Sequence, residues 1–226
     1  MTPDYAAAYE DTRIRIFELA RSLSEEDLAR MMPATPDWSA KDLIAHMVGI
    51  ANDISTGNVE GVGSAPWTEA QVQRGRSRSV DELLAEWEQL APQISEGLNF
   101  LGRTLAGLFL GDLVTHEHDL RGGVGRAGAR DSIGVELALD TYAFRFRRKI
   151  EKEGMAPVVV SDGTKEWRGE GEPAATVTGE TFELLRALTG RRTPSEIQEN
   201  LTWTGDLETY LPLVSLYGIP ETSLRE

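Results

Sequence analysis

Apolar residues at Tyr5, Tyr9, Ile16, Leu19 and Leu23 fall on one face of a 3.6-residue repeat, which predicts a first amphipathic helix over 5–23. Ser24-Glu25-Glu26-Asp27 has the form of a capping box and opens a short helical turn that ends before Pro33. A second such cap, Ser39 to Asp42, precedes Leu43, Ile44, Met47, Ile50, Ala51 and Ile54 on one helical face, with His46 at its edge. The stretch 57–78 is rich in Gly and Ser and reads as a long loop. Ser79 with Glu82 then caps a helix carrying Leu83, Leu84, Trp87, Leu90 and Ile94, with a kink expected at Pro92.

A further helix over 105–120 is apolar almost all round, as a segment buried within a bundle should be, so its polar positions are informative. After glycine-rich 122–128, Val135, Leu139, Tyr142, Phe146 and Ile150 mark another helix that ends before Gly154. The periodicity then changes. Pro157 to Val160, the Asp162-Gly163 turn signal and Thr164 to Arg168 read as a hairpin. Ala174–Thr178 and Leu201–Thr204 read as strands, Phe182–Leu188 as a helix closed by Gly190, and Leu207–Leu216 as a last helix. This pattern divides the chain into a helical domain over 1–153 and a smaller α+β domain over 154–226.

Composition narrows the function classes. Hydrophobic residues at 40% and charged ones at 27% describe a folded protein rather than a disordered one. A net charge of −14 repels phosphate backbones, which argues against nucleic acid as a partner. No apolar run is long enough to span a bilayer and the N-terminus lacks the features of a secretory signal, so the reading is cytoplasmic, with no membrane partner. Without cysteine there is no disulfide, thiolate ligand or cysteine nucleophile, and any thiol chemistry must use an external thiol.

The three histidines are His46, His116 and His118. Asp112 and His116 are four residues apart, which places both on one face of the apolar helix, continuing Leu105, Leu108 and Phe109. A carboxylate at such a position requires a strong partner. A divalent cation meets that need: two imidazoles and one carboxylate fill three corners of a tetrahedron and leave the fourth for water or substrate. His46, on a different helix, is the natural third ligand, since bundles build metal sites from facing helices. Asp119, one turn on, can accept the second ring N–H of a ligand histidine. The same spacing also serves as an ordinary acid–histidine contact within a helix, with His46 packed elsewhere.

The segment from Pro36 through Trp38 and Asp42 to His46, and the segment Asp112-Leu113-Val114-Thr115-His116-Glu117-His118-Asp119-Leu120, resemble the tryptophan-bearing helix entry and the carboxylate-x-x-x-His motif of the mycothiol-dependent maleylpyruvate isomerase family. Asp162-Gly163 to Trp167, Ala175 to Gly179 and Gly190-Arg191-Arg192 resemble that family's C-terminal domain. Asp112 departs from the isomerase itself, whose carboxylate is Glu. The resemblance implies a DinB-like four-helix bundle followed by a small α+β domain, with His46, Asp112 and His116 as ligands of one divalent ion, zinc foremost. It further implies mycothiol as thiol cosubstrate and an isomerase or S-transferase acting on a small electrophile, as monomer or homodimer. In the isomerase the thiol adds to a cis double bond, rotation follows, and elimination gives the trans product. Asp119 is then expected to orient a ligand, and Arg191 or Arg192 to contact an anion. A metal- or ligand-sequestering protein of the same fold and a non-haem iron site remain alternatives.

Other signals carry less. His116-Glu117 begins a zincin motif, but Leu120 stands where the second histidine belongs. His118 diverges from His116 by roughly 200° on a helix and is expected at the rim or behind the ligands. Gly123 to Gly128 matches a dinucleotide glycine pattern but follows a helix instead of a strand. Asn200-Leu201-Thr202 is a sequon without a secretory context.

Overall fold

The computed structural model describes residues 3–224, which group into two compact units, one ending at Gly128 and the other spanning Ala129–Leu224. The first contains α1 (Tyr5–Arg21), α2 (Glu25–Ala29), a small hairpin of β1 (Met31–Met32) and β2 (Thr35–Ser39), α3 (Ala40–Thr56), α4 (Ala65–Gly75), α5 (Val80–Phe100) and α6 (Arg103–Gly123). α1 packs against α5 and α6, and α3 packs against the same two, so four helices close into a ring. The capping boxes at Ser24/Asp27, Ser39/Asp42 and Ser79/Glu82 form as read, each satisfying orphan amides at a helix start. α5 continues through Pro92.

The core of this unit is made by Tyr9, Ile16, Leu43, Ile44, Met47, Leu83, Leu84, Trp87 and Leu110, all essentially inaccessible. Trp87 stacks at a tilt on Phe17 and donates its Nε1–H to the Tyr9 hydroxyl at 2.8 Å, which pairs the one polar atom of a buried indole. Between α1 and α6 lies a buried carboxylate. Glu117 is wholly inaccessible and receives Arg15 as a fork, at 2.9 and 2.7 Å, plus Arg121 at 3.0 Å. Such a carboxylate is tolerable only because its lone pairs are filled by guanidinium N–H groups.

The segment 57–78 is not a loop throughout. α4 occupies Ala65–Gly75, and its buried positions Trp67, Gln71, Val72 and Gly75 include one amide and one glycine, so the helical face carries too little apolar signal to read. Glycine is what brings α4 onto α3. A Cβ on Gly75 would sit 2.4 Å from the Ala45 Cβ, and one on Gly49 would sit 2.5 Å from the Gln71 Cβ, so the two backbones approach closer than any side chain permits. α6 also differs from its reading as a helix buried all round: Leu105 is 59% exposed, and Leu108, Phe109 and Asp112 on the same face are half-buried. That face is where the ring of helices opens to solvent.

The second unit contains α7 (Ile133–Lys152), β3 (Val158–Ser161), β4 (Glu166–Trp167), β5 (Ala175–Thr178), α8 (Thr181–Leu188), α9 (Pro194–Asn200), β6 (Thr202–Thr204) and α10 (Leu207–Val214). The sheet has the order β4-β3-β5-β6, parallel between β3 and β5 and antiparallel at both edges. α7 packs on β3, β4, α8 and α10, and Phe146, Val160, Val177, Leu184, Leu188 and Val214 meet beneath it. α7 therefore groups by packing with the strands, whereas the boundary at 153 follows the change in periodicity. α9 escapes the periodicity because Ile197 is its single buried residue, although Thr193 and Glu196 form its capping box. Among the described residues, no helix is long and apolar enough to cross a membrane.

Alanine at Gly75 tests the α3–α4 approach. Helix propensity favours Ala by about 1 kcal/mol, but overpacking typically costs about 1–3 kcal/mol, so Gly75→Ala should lower the urea midpoint; an unchanged or raised midpoint would show that the helices can separate freely.

Candidate metal centre

α3 and α6 are neighbours in the ring, and His46 on the first faces Asp112 and His116 on the second. One ligand atom from each of the three lies within 4.8 Å of the others. The two imidazole planes meet edge to face, with centroids 5.1 Å apart, and the His116 Nε2 is 3.6 Å from the Asp112 Oδ1. His46 and His116 are buried, at 3% and 7% exposure, while the Asp112 side chain is 36% exposed, so the cluster opens to solvent on the Asp112 side. Asp112 thus sits at the mouth instead of deep in the bundle, as the unusually open face of α6 requires.

Each ring is oriented by its outer nitrogen. The His116 Nδ1 lies 3.0 Å from the Asp119 Oδ2, and the Asp119 side chain is completely buried. The His46 Nδ1 lies 2.8 Å from the Gln71 Oε1, and the ring packs against Trp38 at a centroid distance of 4.8 Å. Gln71 in turn donates Nε2–H to the Asp53 Oδ2 at 2.7 Å, while the Asp53 Oδ1 receives Arg74 at 2.7 Å and Asn58 at 3.0 Å. Burial acts to raise the Asp53 pKa, but the bonds from Asn58, Arg74 and Gln71 outweigh it and hold the carboxyl below its usual value. Burial, reinforced by the adjacent His116, pushes His46 down to about 4, so its imidazole is neutral at physiological pH, the form that ligates metal.

These residues fit a divalent cation. Tetrahedral zinc with bonds of about 2.0–2.2 Å places its donor atoms roughly 3.4 Å apart. The 3.6 Å edge between His116 and Asp112 is close to that length, and an edge of 4.8 Å, the widest the cluster allows, closes with about 1.4 Å of side-chain movement shared between two residues. Both outer ring nitrogens are engaged, leaving both Nε2 atoms to converge. Three donors leave one coordination position.

Gln71 and Asp53 are the site residues that sequence reasoning missed. Gln71 lies on the helix read as a loop. Asp53 was detectable: it stands seven residues after His46, two turns along the same face, as a carboxylate within an apolar stripe. His118, expected at a rim or behind the ligands, is buried at 3%. Arg191 and Arg192 belong to the second unit and are buried there at 9% and 7%. Arg192 forms a fork with both Glu183 oxygens, at 2.6 and 3.0 Å, and Arg191 donates to the Thr189 carbonyl and lies 5.9 Å from the centre of the Tyr217 ring.

Comparison with known proteins reaches the same part of the chain. The sequence model of the mycothiol maleylpyruvate isomerase N-terminal domain matches residues 9–121, a span that includes His46, Asp112, His116 and Asp119. Two solved structures share the fold: the mycothiol-dependent maleylpyruvate isomerase, with TM-score 0.62 and 14% identity, and its histidine-to-alanine mutant, with TM-score 0.61 and 13% identity. Each comparison covers 88% of this chain and 91% of the other. No curated protein matches the sequence. With half its length matched by the family model, the chain belongs to the family defined by the mycothiol maleylpyruvate isomerase N-terminal domain.

Proposed function

We propose that the protein is a divalent-metal enzyme, with zinc as the ion, that uses a low-molecular-weight thiol such as mycothiol to isomerise or S-transfer to a small electrophilic substrate. The observation that carries this reading is the convergence of His46, Asp112 and His116 donor atoms at a half-open position in a chain with no thiol of its own. A divalent ion held there supplies a Lewis acid that lowers the pKa of a thiol.

The protein's own residues account for the rest. With an ion held by these three residues, two imidazoles would add no charge and the Asp112 carboxylate would offset one of the two positive charges, which would leave net positive charge to favour an anionic sulfur. Asp119 holds the His116 ring by its Nδ1 and increases its basicity as a donor. The half-buried Leu108 and Phe109, on the same open face of α6 as Asp112, offer an apolar wall for a small substrate next to the thiol. Similarity to an isomerase that uses mycothiol supports the thiol as cosubstrate. The choice between isomerisation and S-transfer rests with the electrophile.

Elemental analysis of protein purified without added metal should find about one zinc per chain in the wild type and almost none in His116→Ala. Equal content in both would remove the basis of the proposal. Asp119→Asn should weaken zinc binding by roughly 10–100-fold, because the His116 ring loses its carboxylate anchor; chelator competition measures it. Zinc-loaded protein given mycothiol and a panel of electrophiles, including cis-unsaturated acids, should turn substrate over only when the thiol is present. Stoichiometric binding without product would instead identify a sequestering protein, and the absence of both turnover and calorimetric thiol binding would refute the thiol reading.

A further inference from the structure

The hydrogen-bond chain behind His46 has a direction, set at its far end. Asp53 is an acceptor, and its Oδ1 is already taken by Arg74 and Asn58. The Oδ2 therefore accepts from the Gln71 amide nitrogen at 2.7 Å, which turns the amide oxygen toward the His46 Nδ1 at 2.8 Å. An oxygen there accepts only, so the His46 Nδ1 must carry the proton and the lone pair must lie on Nε2, the ring nitrogen that Gln71 leaves available to the cluster with His116 and Asp112. Gln71 is 1% exposed, so water does not offer either group a substitute partner.

We propose that Gln71 is the positioning residue of the metal centre: anchored by Asp53, its amide fixes the tautomer and rotation of His46 so that Nε2 points at the ion. The device depends on the close α3–α4 approach at Gly49, where the Gln71 Cβ takes the space a side chain would fill. It also makes the two ligand histidines unlike. His116 is backed by a carboxylate through Asp119, whereas His46 is backed by a neutral amide, with the compensating negative charge kept one residue further away on Asp53. His46 is accordingly the weaker donor of the pair.

This inference rests on the metal reading above, and the test separates the two. Zinc affinity is measured by chelator competition, and the visible absorption of the cobalt(II) form reports ligand geometry. Wild type that binds neither metal refutes the metal reading and this inference with it. If wild type binds, Gln71→Met should weaken zinc binding roughly 10–100-fold and alter the cobalt spectrum; unchanged affinity and spectrum would overturn the role of Gln71 alone. A double variant, Gln71→Glu with Asp53→Asn, reverses the bond between positions 71 and 53 while keeping the bond to His46 in its original direction. The amide introduced at position 53 still accepts from Arg74 and Asn58 through its oxygen, its nitrogen donates to the new carboxylate, and that carboxylate accepts from the His46 Nδ1. The double variant should bind zinc at least as tightly as wild type while Gln71→Met binds it more weakly; a role filled by bulk alone predicts equal affinity in all three, and a loss in the folded double variant would overturn the proposal. Imidazole nitrogen NMR of zinc-loaded wild type needs no variant to fold: it should show His46 protonated at Nδ1 and coordinated through Nε2, and coordination through Nδ1 would overturn the proposal.

Discussion

Placing ionisable and polar groups inside a helical bundle is costly unless each finds a partner, and this requirement governs the N-terminal unit from His46 outward. His46, Gln71, Asp53, His116 and Asp119 are all nearly inaccessible, and each is bonded to the next group in a chain that reaches a surface arginine or a ligand position. Those bonds lead to the cluster formed by His46, His116 and the Asp112 carboxylate. The cluster fits a divalent cation on geometric grounds that do not depend on family membership.

Packing follows from the same requirement. α4 must lie close enough to α3 for an amide on one helix to reach an imidazole on the other, and Gly49 and Gly75 remove the side chains that would hold them apart. On the opposite side of the bundle ring, the Arg15–Glu117 fork ties α6 to α1. α6 is therefore held at fixed positions by a buried ion pair on one face while Asp112 and His116 project from another. Glu117 and His116 are adjacent in sequence yet do unrelated work, since neighbouring residues on a helix point in directions about 100° apart.

Family membership and this geometry answer different questions. The matched region contains all three candidate ligands, and the fold is shared with the mycothiol-dependent maleylpyruvate isomerase over most of both chains. Geometry adds that Asp112 and the half-exposed face of α6 differ in burial from the rest of the bundle, and a shared fold by itself assigns no substrate. In the second unit, Arg192 is held by Glu183 within a compact α+β fold, which gives one of the two candidate anion-contacting arginines a local ionic partner.

Local sequence determined the elements whose signals are local. The capping boxes at Ser24, Ser39 and Ser79 set helix starts because a side chain and an amide three residues apart suffice to form them. The Asp112–His116 pair was legible for the same reason, as was the 3.6-residue stripe of α3 that carries His46. Tertiary structure decided what depends on residues distant in sequence: that α4 is a helix despite its sparse apolar face, that Gln71 lies against His46, and that the open side of the bundle falls at Asp112 instead of within a buried stripe. Glycine at 49 and 75 carries no sign of which helix will approach it. Hydrogen bonds between residues 18 or 25 positions apart exist only once the chain has folded, which is why the support of the candidate metal centre was less readable than its candidate ligands.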